Sequence, residues 1–239
     1  MRKQLLAASI IALATSAAFA HEPGELILRA GGAHVAPNDD SSRISTTVTG
    51  AIGGTKATVN SNTQLGLTAT YIVAPHLGIE VLAATPFTHT VKVKGLPDVP
   101  GLAPYSIANG KFADVKHLPP TVSAQYFFLD PQSNFQPYVG LGLNYTWFFD
   151  EHLTKYQKSL GFRNLSLSNS WGWAAQVGAD VSIGNNLFLN AAVWRMSIDT
   201  KARATHNDIP GLPGTGLGRV KVDVDIDPWV YFVGVGYKF

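Results

Sequence analysis

Apolar and polar positions alternate one by one in four stretches of this chain. Leu65, Leu67, Ala69 and Tyr71 alternate with Gln64, Gly66, Thr68 and Thr70; Val139, Leu141, Leu143, Tyr145 and Trp147 alternate with Gly140, Gly142, Asn144 and Thr146. Trp171, Trp173, Ala175, Val177, Ala179 and Val181 alternate with Gly172, Ala174, Gln176, Gly178 and Asp180. At the C-terminus Trp229, Tyr231, Val233, Val235, Tyr237 and Phe239 alternate with Gly234, Gly236 and Lys238. A period of two marks a strand whose faces meet different surroundings. Weaker alternation runs through 25–36, 77–92, 114–129 and 187–200, which makes eight strands in all, with helix essentially absent.

The connections carry a second pattern. Tight turns fall at Ala74-Pro75-His76, at 130–134 and at Gly184-Asn185-Asn186, and longer polar or Gly/Pro-rich segments fall near 38–59, 93–112, 150–165 and 204–218. Short and long links therefore take turns along the chain. An up-and-down antiparallel barrel in the outer membrane has this rhythm, with short periplasmic turns, long extracellular loops and about ten residues per crossing. Both chain ends then lie in the periplasm.

Face chemistry decides which side meets lipid. The apolar face carries Tyr71, Phe87, Tyr126, Phe128, Tyr145, Trp147, Trp171, Trp173, Trp229, Tyr237 and Phe239, candidates for aromatic belts at the two membrane surfaces. Charge is almost missing from this face, Arg195 being the main exception. The other face is small and polar, which suits the narrow interior of an eight-stranded barrel. A soluble barrel with an apolar cavity would reverse the two faces.

Composition narrows the choice. Charged residues make up 14% of the chain and hydrophobic ones 46%, where a water-soluble domain carries about 25% charged. The chain holds no cysteine, so disulfides, thiol chemistry and Cys-based zinc sites are excluded. Arg2 and Lys3, an apolar stretch over 5–13 and Ala18-Phe19-Ala20 form the three-part plan of a secretory signal peptide, 1–20, cleaved before His21. Residues 21–239 read as one barrel domain. Without Arg2 and Lys3 the 18 basic residues become 16, equal to the 16 acidic ones, and the net charge of +2 falls to zero. No nucleic-acid partner is expected.

Several longer stretches together resemble the outer-membrane protein W family. They are Thr63-Gln64-Leu65-Gly66-Leu67-Thr68, Leu82-Ala83-Ala84-Thr85-Pro86-Phe87, His117-Leu118-Pro119-Pro120-Thr121, Pro137-Tyr138-Val139-Gly140 with Gly142, Asn144 and Tyr145, Phe148-Phe149-Asp150, and Asp227-Pro228-Trp229. The resemblance implies an eight-stranded barrel in the bacterial outer membrane. It also implies passage of small, mostly hydrophobic molecules, and it brings no catalytic residue and no cofactor.

Chemistry-bearing residues are few. His89 and His117 could approach across neighbouring strands, but strict parity puts them on opposite faces, so no metal site is expected there. Asp223, Asp225 and Asp227 form an acidic row that reads as the solvated face of the last strand; calcium coordination is the competing chemistry. Parity turns Arg29, Glu80, Asp180 and Lys238 inward near the periplasmic end, where mutual pairing or water would offset their burial. Such a layer would plug a straight pore. Higher up, Phe148, Trp194 and Met196 face inward with Thr146, Thr88 and Ala192, apolar enough to receive a hydrophobic guest.

Prolines lack the N–H that a ladder needs. Pro86 in strand three and Pro119-Pro120 in strand four should face each other at similar height and weaken the wall. The expectation is a lateral opening, with β-bulges that merely re-aim the strands as the competing reading. Tyr237 and Phe239 are the candidate signal for the outer-membrane assembly machinery. The chain thus reads as a passive, non-enzymatic conduit for small hydrophobic solutes, with outer-membrane lipid and lipopolysaccharide as its surroundings. The alternative is a surface barrel that transports nothing and serves as a structural protein or as a phage or bacteriocin receptor.

Overall fold

Inside a bilayer every backbone N–H and C=O needs a partner from the protein, so strands cross only in a sheet without edges. A computed structural model of the chain describes residues 21–38, 40–96, 108–184 and 186–239. The expected signal peptide, 1–20, lies outside the described residues, as do 97–107 of the connection expected at 93–112 and Asn185 of the third turn.

The strands are β1 (Leu26–Ala36), β2 (Asp40–Ser41), β3 (Ser45–Thr46), β4 (Gly50–Ala51), β5 (Lys56–Val59), β6 (Asn62–Ala74), β7 (Leu77–Ala84) and β8 (Phe87–Lys94). They continue as β9 (Gly110–Leu118), β10 (Thr121–Phe127), β11 (Phe135–Leu153), β12 (Phe162–Leu167), β13 (Ser170–Gly184), β14 (Leu187–Met196), β15 (Asp199–His206), β16 (Gly218–Asp225) and β17 (Trp229–Lys238). One short helix, α1 (Lys155–Ser159), follows β11, its first turn capped by the Thr154 hydroxyl.

Eight of these strands close a ring. The antiparallel order runs β1–β6–β7–β10–β11–β13–β14–β17 and returns to β1. Leu26 to Tyr71 and Ile27 to Lys238 are among its pairs, so the first strand binds the last and no edge is left. A closed ladder resists detergent. Unboiled protein should therefore run at a different position from boiled protein in a detergent gel; identical positions would mean that no closed barrel had formed.

Outside the ring, Leu65, Leu67, Val81, Val122, Leu141, Leu143 and Val233 are exposed, as lipid-facing positions must be. The aromatic belts are carried by Tyr71, Tyr126, Phe128, Trp147, Trp171, Trp173, Trp229, Tyr237 and Phe239, all exposed. Phe87 departs from this set. It is only 1% exposed and faces inward.

The cause is local. Leu82 pairs with Thr121 and Phe87 with His117, so residues 83–86 oppose residues 118–120, one residue too many on one side. The extra residue inverts the alternation above Pro86. Phe87 and His89 turn inward, and Thr88, expected inside, does not. The expectation that His89 and His117 occupy opposite faces fails for the same reason: both are buried, and their rings stack with centroids 4.9 Å apart.

The ring does not end where lipid ends. The segments expected as loops at 38–59, 150–165 and 204–218 contain β2 to β5, part of β11, α1, and parts of β12 and β15. Above the membrane β5, β8, β9 and β11 extend one side of the wall, and β12, β15, β16, β2 and β3 the other.

Candidate functional site

The interior has three levels, readable along single strands. On β14 the inward residues run Phe188, Asn190, Ala192, Trp194 and Met196 from the periplasmic end upward, and Ile198 follows. Just above a periplasmic floor of Ile27, Ile72, Phe127 and Phe188, the lowest of these levels is polar and tightly joined. Arg29 binds both oxygens of Asp180, Nε at 3.0 Å and Nη2 at 2.6 Å, and its Nη1 reaches Thr70 at 2.7 Å and Glu80 at 3.4 Å. Gln176 donates to Glu80 at 3.0 Å, and Asn190 donates to Asp180 at 2.7 Å and to the Tyr138 hydroxyl at 3.0 Å. Arg29, Glu80 and Asp180 are all at most 2% exposed.

Two details differ from simple mutual pairing of four charges. Lys238 forms its ion pair with Glu25, at 3.0 Å, just below the layer. His21 joins the layer instead, its Nε2 lying 3.3 Å from Asp180. Nothing in the alternation marks His21, which precedes the first strand. Gln125, Gln176 and Asn190 were readable as inward by parity, yet their part in satisfying the charges needed the geometry.

Bulky groups fill the middle level. Trp194 and Phe232 meet edge to face at 6.2 Å, and Met196 is buried beside Pro228, whose carbonyl accepts its N–H at 3.2 Å. Asn144 donates to Thr121 at 2.9 Å and toward the carbonyls of Pro119 and Pro120 at 3.2 and 3.3 Å. Its own Oδ1 accepts from Thr146 at 2.7 Å. A straight axial path thus meets aromatic rings and then a charged network.

Above them opens an apolar chamber of about 1240 Å³, counting its mouth. Val35, Val93, Val115, Phe148, Ile198 and Val224 are among its walls. Of the three residues expected to form the apolar upper interior, Phe148 lines the chamber, while Trp194 and Met196 lie in the level beneath. His89 and His117 are in the chamber wall, three residues beyond Pro86 and two before Pro119. Their nearly parallel rings, 17° apart, do not converge on one point, and among the described residues no group of three or more His, Asp or Glu could hold a metal ion.

At the level of Phe87 the wall is interrupted. Pro86 and Pro119-Pro120 do lie at one height, within the stretch where 83–86 oppose 118–120 without ladder pairs. On the opposite side of the same strand, the ladder bonds stop at Thr85 N–H to Leu65 carbonyl and resume at Asn60 N–H to Thr90 carbonyl. Side chains bridge the space between: Asn62 donates to the Thr88 carbonyl at 2.8 Å, and Thr85 to Gln64 at 3.0 Å. The interruption stops at β10, because the Tyr145 N–H still reaches the Pro120 carbonyl at 3.0 Å. Outward-facing Leu65, Leu67 and Val81 lie below this region, and Lys92 and Lys94 above it, so it sits near the outer boundary of the apolar belt.

The acidic row is on the outer face above that belt, Asp223 and Asp225 exposed. Loss of hydration, then the nearby charges of Asp225 and Asp227, push the Asp199 carboxyl above its ordinary range. Asp227 also lies 3.7 Å from Arg195, the main charge expected on the lipid-facing set, which stacks over Trp229 at 5.6 Å.

Comparison with known proteins follows this geometry. A family model described as the OmpW family matches residues 22–239. Outer membrane protein W of Vibrio cholerae is 42% identical over 232 residues, covering 97% of this chain and 96% of that protein. Outer membrane protein W of Escherichia coli is 40% identical over 240 residues, covering all of both. The crystal structure of the outer membrane protein OprG from Pseudomonas aeruginosa superimposes with a TM-score of 0.82 at 48% identity, covering 92% of this chain and 98% of that one.

Proposed function

The chain belongs to the OmpW family and is a non-enzymatic barrel of the bacterial outer membrane, and on that premise we propose that it is a passive conduit for small, mostly hydrophobic molecules with a lateral exit. Solutes enter from outside, collect in the chamber walled by Val35, Val115, Phe148 and Ile198, and leave sideways between Thr85-Pro86 and the neighbouring strands. The observation that carries this reading is the stacking of levels. An apolar chamber ends downward on Trp194, Phe232 and the Arg29–Asp180–Glu80 network, while the ladder is interrupted beside it.

Physical chemistry favours the side route. An apolar molecule gains nothing by entering a charged, fully hydrogen-bonded layer, since it would have to break bonds it cannot replace. Transfer into lipid costs it nothing comparable. In this reading Phe87 is the inner face of the exit, its ring 5.4 Å from that of His117. Tyr237 and Phe239, exposed at the end of β17, are the assembly signal.

The alternative of a surface barrel that transports nothing draws on the same blocked interior. Vesicles with an outer leaflet of lipopolysaccharide, itself a barrier to apolar solutes, separate the two. Protein-bearing vesicles should take up toluene several times faster than empty ones; equal rates would sink the conduit and favour the receptor.

A further inference from the structure

Seven side chains hold a buried nitrogen or oxygen without a hydrogen-bond partner among the described residues, and the two of them that line the chamber are His89 and His117. The atoms are Nε2 of His89 and Nδ1 of His117. Both residues are at least nine-tenths buried, in a wall otherwise built chiefly from aliphatic and aromatic groups.

His89 can be read further. Its Nδ1 lies against the Asn60 carbonyl, which can only accept, so Nδ1 carries the proton and donates. Nothing acidic faces the ring among the described residues to hold a second proton on it. Nε2 is then a bare lone pair on the side of the ring away from Asn60, closed to water, so a guest's donor reaches it only as the neighbouring side chains give way. A buried acceptor left without a donor is unfavourable, and whatever supplies the donor is bound more tightly for it.

We propose that the chamber is built for guests with an apolar body and one hydrogen-bond donor, a hydroxyl or N–H, received by His89 Nε2. This deepens the conduit reading and rests on its chamber. Phe148 and Phe87 flank the stacked imidazoles, with ring centroids 5.7 and 5.4 Å from His117, so the donor would be met in an aromatic setting that suits a phenol. A plain hydrocarbon leaves the lone pair unmet. A carboxylate has no proton to give and carries a charge into an apolar space.

The test uses three probes of similar shape: p-cresol, its methyl ether 4-methylanisole, and toluene. Each is titrated into full-length barrel in detergent micelles, at equal concentration in the micelle, while the histidine ring nitrogens are followed by NMR. We expect p-cresol to bind about tenfold more tightly than the other two, the value of one hydrogen bond to a buried acceptor. It should also shift the His89 Nε2 signal. His89→Leu should abolish the preference, and His89→Gln, which keeps an acceptor at that place, should retain part of it. Equal affinity for the three probes, or an undiminished preference in folded His89→Leu, would overturn the assignment. Should His89→Leu fail to fold, the three-probe series and the nitrogen signal of the parent decide. Binding is read here without transport. A barrel that selects p-cresol yet passes no solute keeps this assignment and loses the conduit, whereas one that binds all three alike yet passes them does the reverse.

Discussion

Arg29→Met should destabilise the folded barrel by about 3–5 kcal/mol, the usual penalty for removing one partner of a buried charge pair. Arg29 is the cation that binds both Asp180 and Glu80, through contacts at 2.6 to 3.4 Å. With methionine there, two carboxylates at most 2% exposed lose the cation that neutralises them. His21 offers Asp180 one weak contact at 3.3 Å and does not reach Glu80 by any contact described. The loss should appear as a lower urea midpoint for unfolding from lipid vesicles. The combined variant Arg29→Met, Glu80→Gln, Asp180→Asn removes the charges with their partner and should recover most of it. If the single variant were as stable as the parent, the layer would be hydrated and could not serve as the plug.

The expected cost also tells why the layer sits where it does. Its polar supports come from β6, β10, β13 and β14 through Thr70, Gln125, Gln176 and Asn190, so the network ties together strands far apart in sequence. A narrow barrel with small inward residues leaves just enough room for one guanidinium at its centre.

Strict alternation was enough to read the barrel. Each of the eight crossings, the short turns and the inward placement of Arg29, Glu80, Asp180 and Lys238 follow from counting by twos. Counting by twos also explains what was missed. One surplus residue between Leu82 and Phe87 inverts every later position of that strand, whereas unbroken alternation sends Phe87 to lipid and separates His89 from His117. Proline marked the place of the interruption, but no residue type states whether a bulge keeps or inverts the count. The strands above the membrane read as loops for another reason. Their outer face meets water rather than lipid, as with Lys201, Arg203 and Lys221, so the apolar-out signal that identifies a crossing is gone. His21 belongs to no strand, so alternation carries no signal of its place in the layer.

The second large effect concerns the interrupted wall. Pro86→Val, Pro119→Thr and Pro120→Val together return three N–H groups to strands that lack ladder pairs between 83–86 and 118–120. The N–H restored at 120 turns toward β11, as its carbonyl does, so those at 86 and 119 are left for the gap, and two bonds of about 0.5–1.5 kcal/mol each should raise the barrier to lateral escape by about 1–3 kcal/mol. That corresponds to a fall in flux of roughly fivefold to 150-fold. Assembly should be unharmed, since the ring below the prolines is already complete and Asn144 still holds the carbonyls at 119 and 120. The decisive measurement is toluene uptake by lipopolysaccharide-faced vesicles carrying either the parent or this triple variant, both confirmed as folded by their heat-sensitive mobility. A lateral exit gives a triple variant slower by roughly fivefold to 150-fold; equal rates would contradict it and send the solute by another path.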